Sequence, residues 1–398
     1  MTIHTDGPTT PIVHRPQRSG LDRGLTFAQT GALFAVVYAA LISFMLCPLL
    51  LAVVITVIAA AVLAGVILIP VHGRTLWEWA ELRYWSWRER GSVDSGWFLA
   101  TDCERRDGAP YGVITTGGGR PTVALSVRLP GARPGTRWLT RQHCDELAHA
   151  GVMCGASHAS VVIEPDGSSS CTDPVRVTYA FAPRGGATGG NRQTQAREIG
   201  RRLPTIIAGA AHAGLELTAL TAEQHTAILD DAYRVPPHAR GEDCPGLAHE
   251  SQLTWDHLVH NAHRSITCES VARGVGQFPD VLPHLRSGWE QARVALLYRF
   301  DRPAQTIVDQ DYRTALIRRR RGRIDAAAQA RSAVAAGAAV AQVRTFLTVT
   351  VRADDPLPDI DGRALRCWYA QQASAFRAAL GLTHPASSRY VRTTFIRR

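Results

Sequence analysis

Between positions 24 and 71 the chain carries no Asp, Glu, Lys or Arg. One bilayer span needs about 20 apolar residues, so the stretch is long enough for two spans with a tight turn between them. Cys47-Pro48 is the natural break, because proline disfavours helix in the residue before it. The pattern predicts a transmembrane hairpin over 25–71, with helices at 27–46 and 49–69. A cleaved leader would have a shorter apolar core and no second span directly behind it. Small residues recur every four positions in both helices: Gly31, Ala35, Ala39 and Ser43, then Ala52, Thr56, Ala60 and Ala64. Such ridges let helices approach closely in lipid. One ridge is expected to close the hairpin; Gly31, Ala35, Ala39 and Ser43 are the candidates for contact with a partner subunit.

The next stretch, 73–90, holds Trp77, Trp79, Trp85 and Trp87 out of nine tryptophans in the chain. At 100° per residue, Leu76, Trp77, Trp79, Ala80, Tyr84 and Trp87 share one sector of a helix, while Glu78, Glu81, Arg88 and Glu89 lie outside it. Tryptophan favours the lipid headgroup level and arginine snorkels along apolar surface. Residues 72–90 therefore read as an amphipathic interfacial helix, with Trp77, Trp79, Tyr84, Trp87 and Arg83 at the membrane interface. Leu82 and Trp85 fall on the wrong face for lipid and are candidate partner contacts.

From 91 onward, apolar runs alternate with helical periods. Strands are expected at 111–115, 123–129, 159–163, 175–181, 292–300 and 343–351. Helices are expected at 140–150, 194–213, 222–233, 324–341 and 362–380. This alternation predicts a layered α/β domain over 91–398. Residues 184–191 read as a glycine-rich loop, and 234–253 as the best internal linker.

Charge then sets the topology. The net charge of +10 is carried entirely by arginine, since the sequence contains no lysine. With abundant Ala and Gly, that bias points to a high-GC, actinobacterial source. Arg15, Arg18 and Arg23 precede the apolar stretch, and Arg74, Arg83, Arg88 and Arg90 follow it. Positive flanks stay inside. The expectation is a two-pass protein of the inner (plasma) membrane, with the 1–24 tail and the large domain both cytoplasmic. The eight cysteines include no CxxC pair, and seven of them lie outside the apolar stretch, consistent with reduced thiols.

Candidate chemistry is thin. Glycine runs at 117–119 and 185–190 lack the Lys-Ser/Thr of a phosphate loop. Gly155-Ala156-Ser157-His158-Ala159 has a helix before it and a strand after it, the reverse of a nucleophile elbow. His257, His260 and His263, with Cys244 and Cys268 nearby, have zinc-ligand chemistry; on a helix the third histidine would turn away from the first two. Asp309-Gln310-Asp311 and Asp359-Ile360-Asp361 are DxD triplets that would hold a divalent ion against a nucleotide diphosphate. The first follows a short apolar run; the second suits a helix cap. Arg318-Arg319-Arg320-Arg321-Gly322-Arg323 is the densest charge run, without the aromatic platform of a nucleic-acid groove. It fits a solvated helix end, anionic lipid or an acidic partner. No catalytic, cofactor or metal residue is assigned.

The basic tail, the paired spans and the segment Val71-His72-Gly73-Arg74-Thr75-Leu76-Trp77-Glu78-Trp79 resemble the EccE family of actinobacterial type VII (ESX) secretion systems. Pro204 within an Arg-rich helix, Leu220-Thr221-Ala222 opening a helix, and the closing strand 345–351 followed by a helix at 365–380 add to the resemblance. It implies a structural, non-enzymatic subunit of an inner-membrane protein-transport complex, beside EccB, EccC and EccD, needing no cofactor, nucleic acid or small-molecule substrate. It also implies an α/β cytosolic domain with some likeness to glycosyltransferase folds. The rival expectation is a membrane-anchored transferase using Asp309 and Asp311 with a divalent metal.

Overall fold

The computed structural model describes residues 12–15, 27–68, 70–71, 74–77, 79–80, 83–84, 93–94, 98–105, 107–116, 121–128, 139–164, 175–181, 192–235, 251–270, 289–300, 303–317, 321–357, 365–368 and 371–382. Two compact units make up the chain. One is Gln17–Arg90; the other joins Met1–Pro16 to Gly91–Arg398.

Strand β1 (Ile12–Arg15) comes first, and it belongs to the larger unit. The smaller unit follows with α1 (Phe27–Leu46), α2 (Leu49–Leu68) and a two-stranded ribbon of β2 (Pro70–Val71) and β3 (Arg74–Thr75). The helix break falls at Cys47-Pro48, as the proline dictates. The interfacial segment differs from the expected helix over 72–90. The ribbon takes up its start, and the helical residues among those described are 76–77, 79–80 and 83–84.

The larger unit continues with β4 (Val93–Asp94), β5 (Phe98–Glu104), β6 (Pro110–Thr116) and β7 (Pro121–Arg128). Next come α3 (Arg141–Met153), β8 (Ala156–Ile163), β9 (Val175–Phe181), α4 (Arg192–His212) and β10 (Glu216–Ala219). In space β7, β8, β9 and β10 lie in the order β10-β7-β9-β8, all antiparallel. This is the split βαβ arrangement, with two helices on one face. After α5 (Ala222–Ala232), strands β11 (Ser251–Leu253), β12 (Leu258–His260), β13 (His263–Ser270) and β14 (Gln291–Phe300) extend the sheet. The chain closes with α6 (Ala304–Ile317), α7 (Arg321–Ala335), β15 (Ala339–Arg352), β16 (Leu365–Cys367) and α8 (Gln372–Ala379). Fourteen strands form one sheet, antiparallel except where β1 runs parallel to β15. The domain is thus mixed α/β, as expected, built on a large antiparallel sheet.

Two helices start with the same device. Thr140 and Thr221 each accept a hydrogen bond from the backbone N–H three residues on. In return, the side chains of His143 and Gln224 accept from the threonine N–H. Each capping box satisfies otherwise unpaired helix-end donors.

Two expected helices are shorter than their periodicity suggested. The 362–380 pattern splits into β16 and α8, because Leu365 and Cys367 alternate into the core as a strand paired with β13. The 324–341 pattern stops at Ala335, and β15 starts at Ala339 after Gly337 (φ 102) turns the chain. The 117–119 glycine run and the 184–191 loop lie outside the described residues, as do Cys171, Cys244, Asp359 and Asp361.

Candidate functional site

The apolar helix pair keeps its hydrophobic side chains outward. Met45, Leu46, Leu50 and Phe34 are 87%, 79%, 80% and 69% exposed within this chain, the reverse of a soluble core helix. Leu49–Val66 is long and apolar enough to cross a membrane; the described apolar part of α1, Gly31–Leu46, is shorter. α1 and α2 pack against each other. The covered positions include Ala32, Val36, Ala40 and Ser43 on α1, and Ala52, Thr56, Ala59 and Leu63 on α2. Ala52 is fully buried. The two hydroxyls on this seam return a hydrogen bond to their own helix, Ser43 Oγ to Ala39 O at 2.9 Å and Thr56 Oγ1 to Ala52 O at 2.8 Å. Such back-bonding satisfies polar groups where no water is available.

The small-residue ridges therefore split. Ser43, Ala52 and Thr56 lie on the seam, whereas Gly31, Ala35, Ala39, Ala60 and Ala64 face outward. Trp77 and Trp79 are half-buried; Arg83 and Tyr84 are exposed. Leu82, Trp85 and Trp87 lie outside the described residues.

Sequence reasoning missed the strand that precedes this pair. Ile12, Val13, His14 and Arg15 align with Ala339, Val340, Ala341 and Gln342 of β15. Ile12 and Val13 are buried. His14 Nε2 lies 2.8 Å from Asp145 Oδ2, and Arg141 Nη2 lies 3.2 Å from His14 Nδ1. Because the arginine can only donate, Nδ1 accepts and Nε2–H donates to the carboxylate. Tyr298 Oη donates to Asp145 Oδ1 at 2.8 Å, so one aspartate ties β1, α3 and β14 together. The only sequence signal was a four-residue apolar–basic run in a tail that reads as a membrane flank.

Of the other candidates, Asp309 and Asp311 sit on α6 rather than at a strand end. Two residues apart on a helix, their carboxylates point about 200° apart and do not face one ion together. Asp309 Oδ1 is instead 2.6 Å from Arg331 Nε on α7. The histidine run is a β-hairpin and not a helix. His260 and His263 pair across the turn between β12 and β13, and Asn261 takes up the left-handed conformation there (φ 51). The three rings have separate partners. His257 bonds Asp256 at 2.7 Å and His263 pairs with Glu290 at 2.7 Å. His260 bridges Tyr233 O and Ser265 Oγ. Burial pushes the His260 imidazole down to about 4. Among the described residues no group of three or more His, Cys, Asp or Glu is placed to hold a metal ion.

The most concentrated buried chemistry lies where sequence reasoning did not look. Glu164 Oε1, at the end of β8, accepts from Arg293 Nε at 2.6 Å and from Arg176 Nη2 at 2.8 Å, all three buried. Burial alone would raise the Glu164 carboxyl, but the two guanidiniums hold it down to about 2. His225, on α5, is pushed down to about 3, first by burial and then by Arg176. Arg293 Nη1 and Nη2, His225 Nδ1, Thr122 Oγ1, Ser160 Oγ and Thr178 Oγ1 have no protein partner among the described residues. These are positions where bound water would complete the network. The signal was present as polar residues at alternating positions inside apolar strands, Arg176 and Thr178 in VRVTYAF and Gln291 and Arg293 in QARVALLYRF. Donors dominate the cluster, and its one carboxylate is neutralised. It can orient and stabilise, but it offers no exposed nucleophile or base.

Residues 18–78 match a family described only as a domain of unknown function, DUF8461. The match spans the apolar helix pair and the beginning of the tryptophan-rich stretch that follows it. Among curated proteins, none matches the chain significantly.

Proposed function

We propose that the chain is a structural subunit of an inner-membrane type VII (ESX) secretion complex, the role of the EccE family it resembles. The apolar pair docks among partner helices, and the large domain offers a cytoplasmic protein-binding surface. β1 is the observation that carries this reading. The strand before α1 and the domain after α2 belong to one sheet. A segment that leaves a fold and rejoins it crosses a bilayer an even number of times, so α2 as a span requires α1 as its return. The outward ridge of Gly31, Ala35 and Ala39 then meets a neighbouring subunit, since close helix packing in lipid uses small residues. The arginine flanks put both termini in the cytoplasm.

Mild detergent extraction followed by a native gel is the test. The expected result is migration in an assembly far larger than the 43.2 kDa chain, together with EccB-, EccC- and EccD-like subunits. Migration as a free monomer overturns the proposal. Sidedness is read at Met153→Cys, since Met153 is 68% exposed. A membrane-impermeant maleimide should label this cysteine only after permeabilisation.

A further inference from the structure

β14 and β15 are neighbouring antiparallel strands, which a two-residue turn is able to join. Residues 301–338 intervene instead, and α6 and α7 within them pack together as an αα-hairpin. Its base is seated on the sheet, where Val308 and Ala330 pack with Val13 of β1 and Val340 of β15. Arg331 ties the two helices by its ion pair with Asp309 and by lying over the Tyr312 ring, 4.8 Å from its centroid. Beyond the base little is covered. α6 buries only Val308 and Ala315, and α7 only Ala327 and Ala330. At 1.5 Å per residue, the helix runs about 14 Å from Val308 to Ile317.

At that tip Leu316 and Ile317 are 44% and 81% exposed. Among the described residues outside 27–84, Met153 is the one other exposed large hydrophobic side chain. Arg313, on α6 one turn before the pair, and Arg321 and Arg323, in the first turn of α7, are exposed and without a protein partner among the described residues. Helix stability does not account for this placement, because cations in the first turn of α7 oppose the helix dipole. Nucleic acid is a poor fit, since the tip exposes no aromatic ring for stacking.

We infer that the tip of α6–α7 docks on the surface of an anionic bilayer. Leu316 and Ile317 enter the boundary between headgroups and acyl chains, and the arginines pair with lipid phosphates. The inference rests on the membrane reading above. That reading supplies the bilayer, since in the sequence β1, on which the hairpin base is seated, is followed directly by α1.

The test is hydrogen–deuterium exchange of the full chain in nanodiscs, of phosphatidylcholine alone or mixed with phosphatidylglycerol. Backbone amides of 313–323 should exchange more slowly in the anionic discs, and salt should reverse the effect. Ile317→Asp and the double variant Arg321→Glu, Arg323→Glu should abolish the difference. Each arginine contact contributes about fivefold in partitioning, so two account for about 25-fold. Glutamate in the first turn favours the helix, so lost docking in the double variant is not lost folding. Equal exchange in the two lipids overturns the inference. So does protection in both lipids that survives charge reversal, which would mean the chain itself or a co-purifying acidic protein covers the tip. Co-elution with discs is scored separately. Failure to enter either disc overturns the membrane reading as well; entry without tip protection overturns the tip alone.

Discussion

The two faces of the large sheet are built from the same strands by opposite rules. Under α3 and α4, alternate residues are Val123, Leu125, Val161, Ile163, Val177, Val294 and Leu296, an apolar layer. While Tyr298 donates to Asp145 Oδ1 on α3, two of its buried hydroxyls bond helix carbonyls, Tyr111 to Ala196 O at 2.8 Å and Tyr179 to Leu147 O at 2.7 Å. Each ring fits because a glycine lies four residues beyond the accepting carbonyl. A Cβ on Gly200 would stand 2.2 Å from Tyr111 Oη, and one on Gly151 2.3 Å from the Tyr179 ring. Under α5 and α8, the same strands bury Thr122, Ser160, Glu164, Arg176, Thr178 and Arg293, with His225 on α5 also buried and Gln372 on α8 bonded to the Thr267 backbone. Apolar patches such as Val162, Ala295, Leu297 and Phe346 against Ala375 and Ala378 surround these groups. One face holds mainly by shape, with Asp145 and its partners as its one described ionic cluster, and the other mainly by charge matching. They should fail under different insults.

The largest effect is expected from Glu164→Gln. It removes the carboxylate charge that Arg176 and Arg293 share, and breaking such a network costs about 3–5 kcal/mol. Urea unfolding followed by tryptophan fluorescence checks it; a loss below 1 kcal/mol would mean water already solvates the guanidiniums. Gly200→Ala attacks the other face by overpacking against Tyr111, at a cost of about 1–3 kcal/mol that should not change with pH. Acid separates the faces directly. His225 and His260 titrate at about 3 and about 4 in the folded chain, below the ordinary value of 6.5. Between those limits the unfolded chain binds more protons. Stability is therefore complete above pH 6.5 and falls as pH drops toward 4, by at most about 1.4 kcal/mol per unit for each histidine. His225→Asn and His260→Asn should flatten that slope. A slope unchanged in both variants removes the electrostatic account. Asp309→Ala with Asp311→Ala should do least, because the exposed Asp309–Arg331 pair contributes no more than about 1 kcal/mol. Lost secretion with the complex still assembled would revive the transferase reading.

The αα-hairpin belongs to neither face, and its sequence was legible only in pieces. The Arg run at 318–323 and the Asp309-Gln310-Asp311 triplet each stood out by composition. Folding places Asp309 against Arg331 and leaves Arg321 and Arg323 at an exposed tip with Ile317. The histidine run is ambiguous for a related reason. Intervals of three suit a helix, but a turn at Asn261-Ala262 satisfies the same spacing by pairing His260 with His263 across two strands.

By itself, the sequence determined what depends on local chemistry. The charge-free stretch, the break at Cys47-Pro48, the strand 175–181 and the start of α5 behind Thr221 all follow from side chains and near neighbours. Tertiary structure alone decided which distant segments share a surface. It put β1 beside β15, across more than three hundred residues, and it turned Gly31, Ala35 and Ala39 outward. It also gathered Glu164, Arg176 and Arg293 into one buried network. The physical reason is that a strand's period of two shows which residues share a face, but the identity of the neighbouring strand depends on backbone pairing between remote segments.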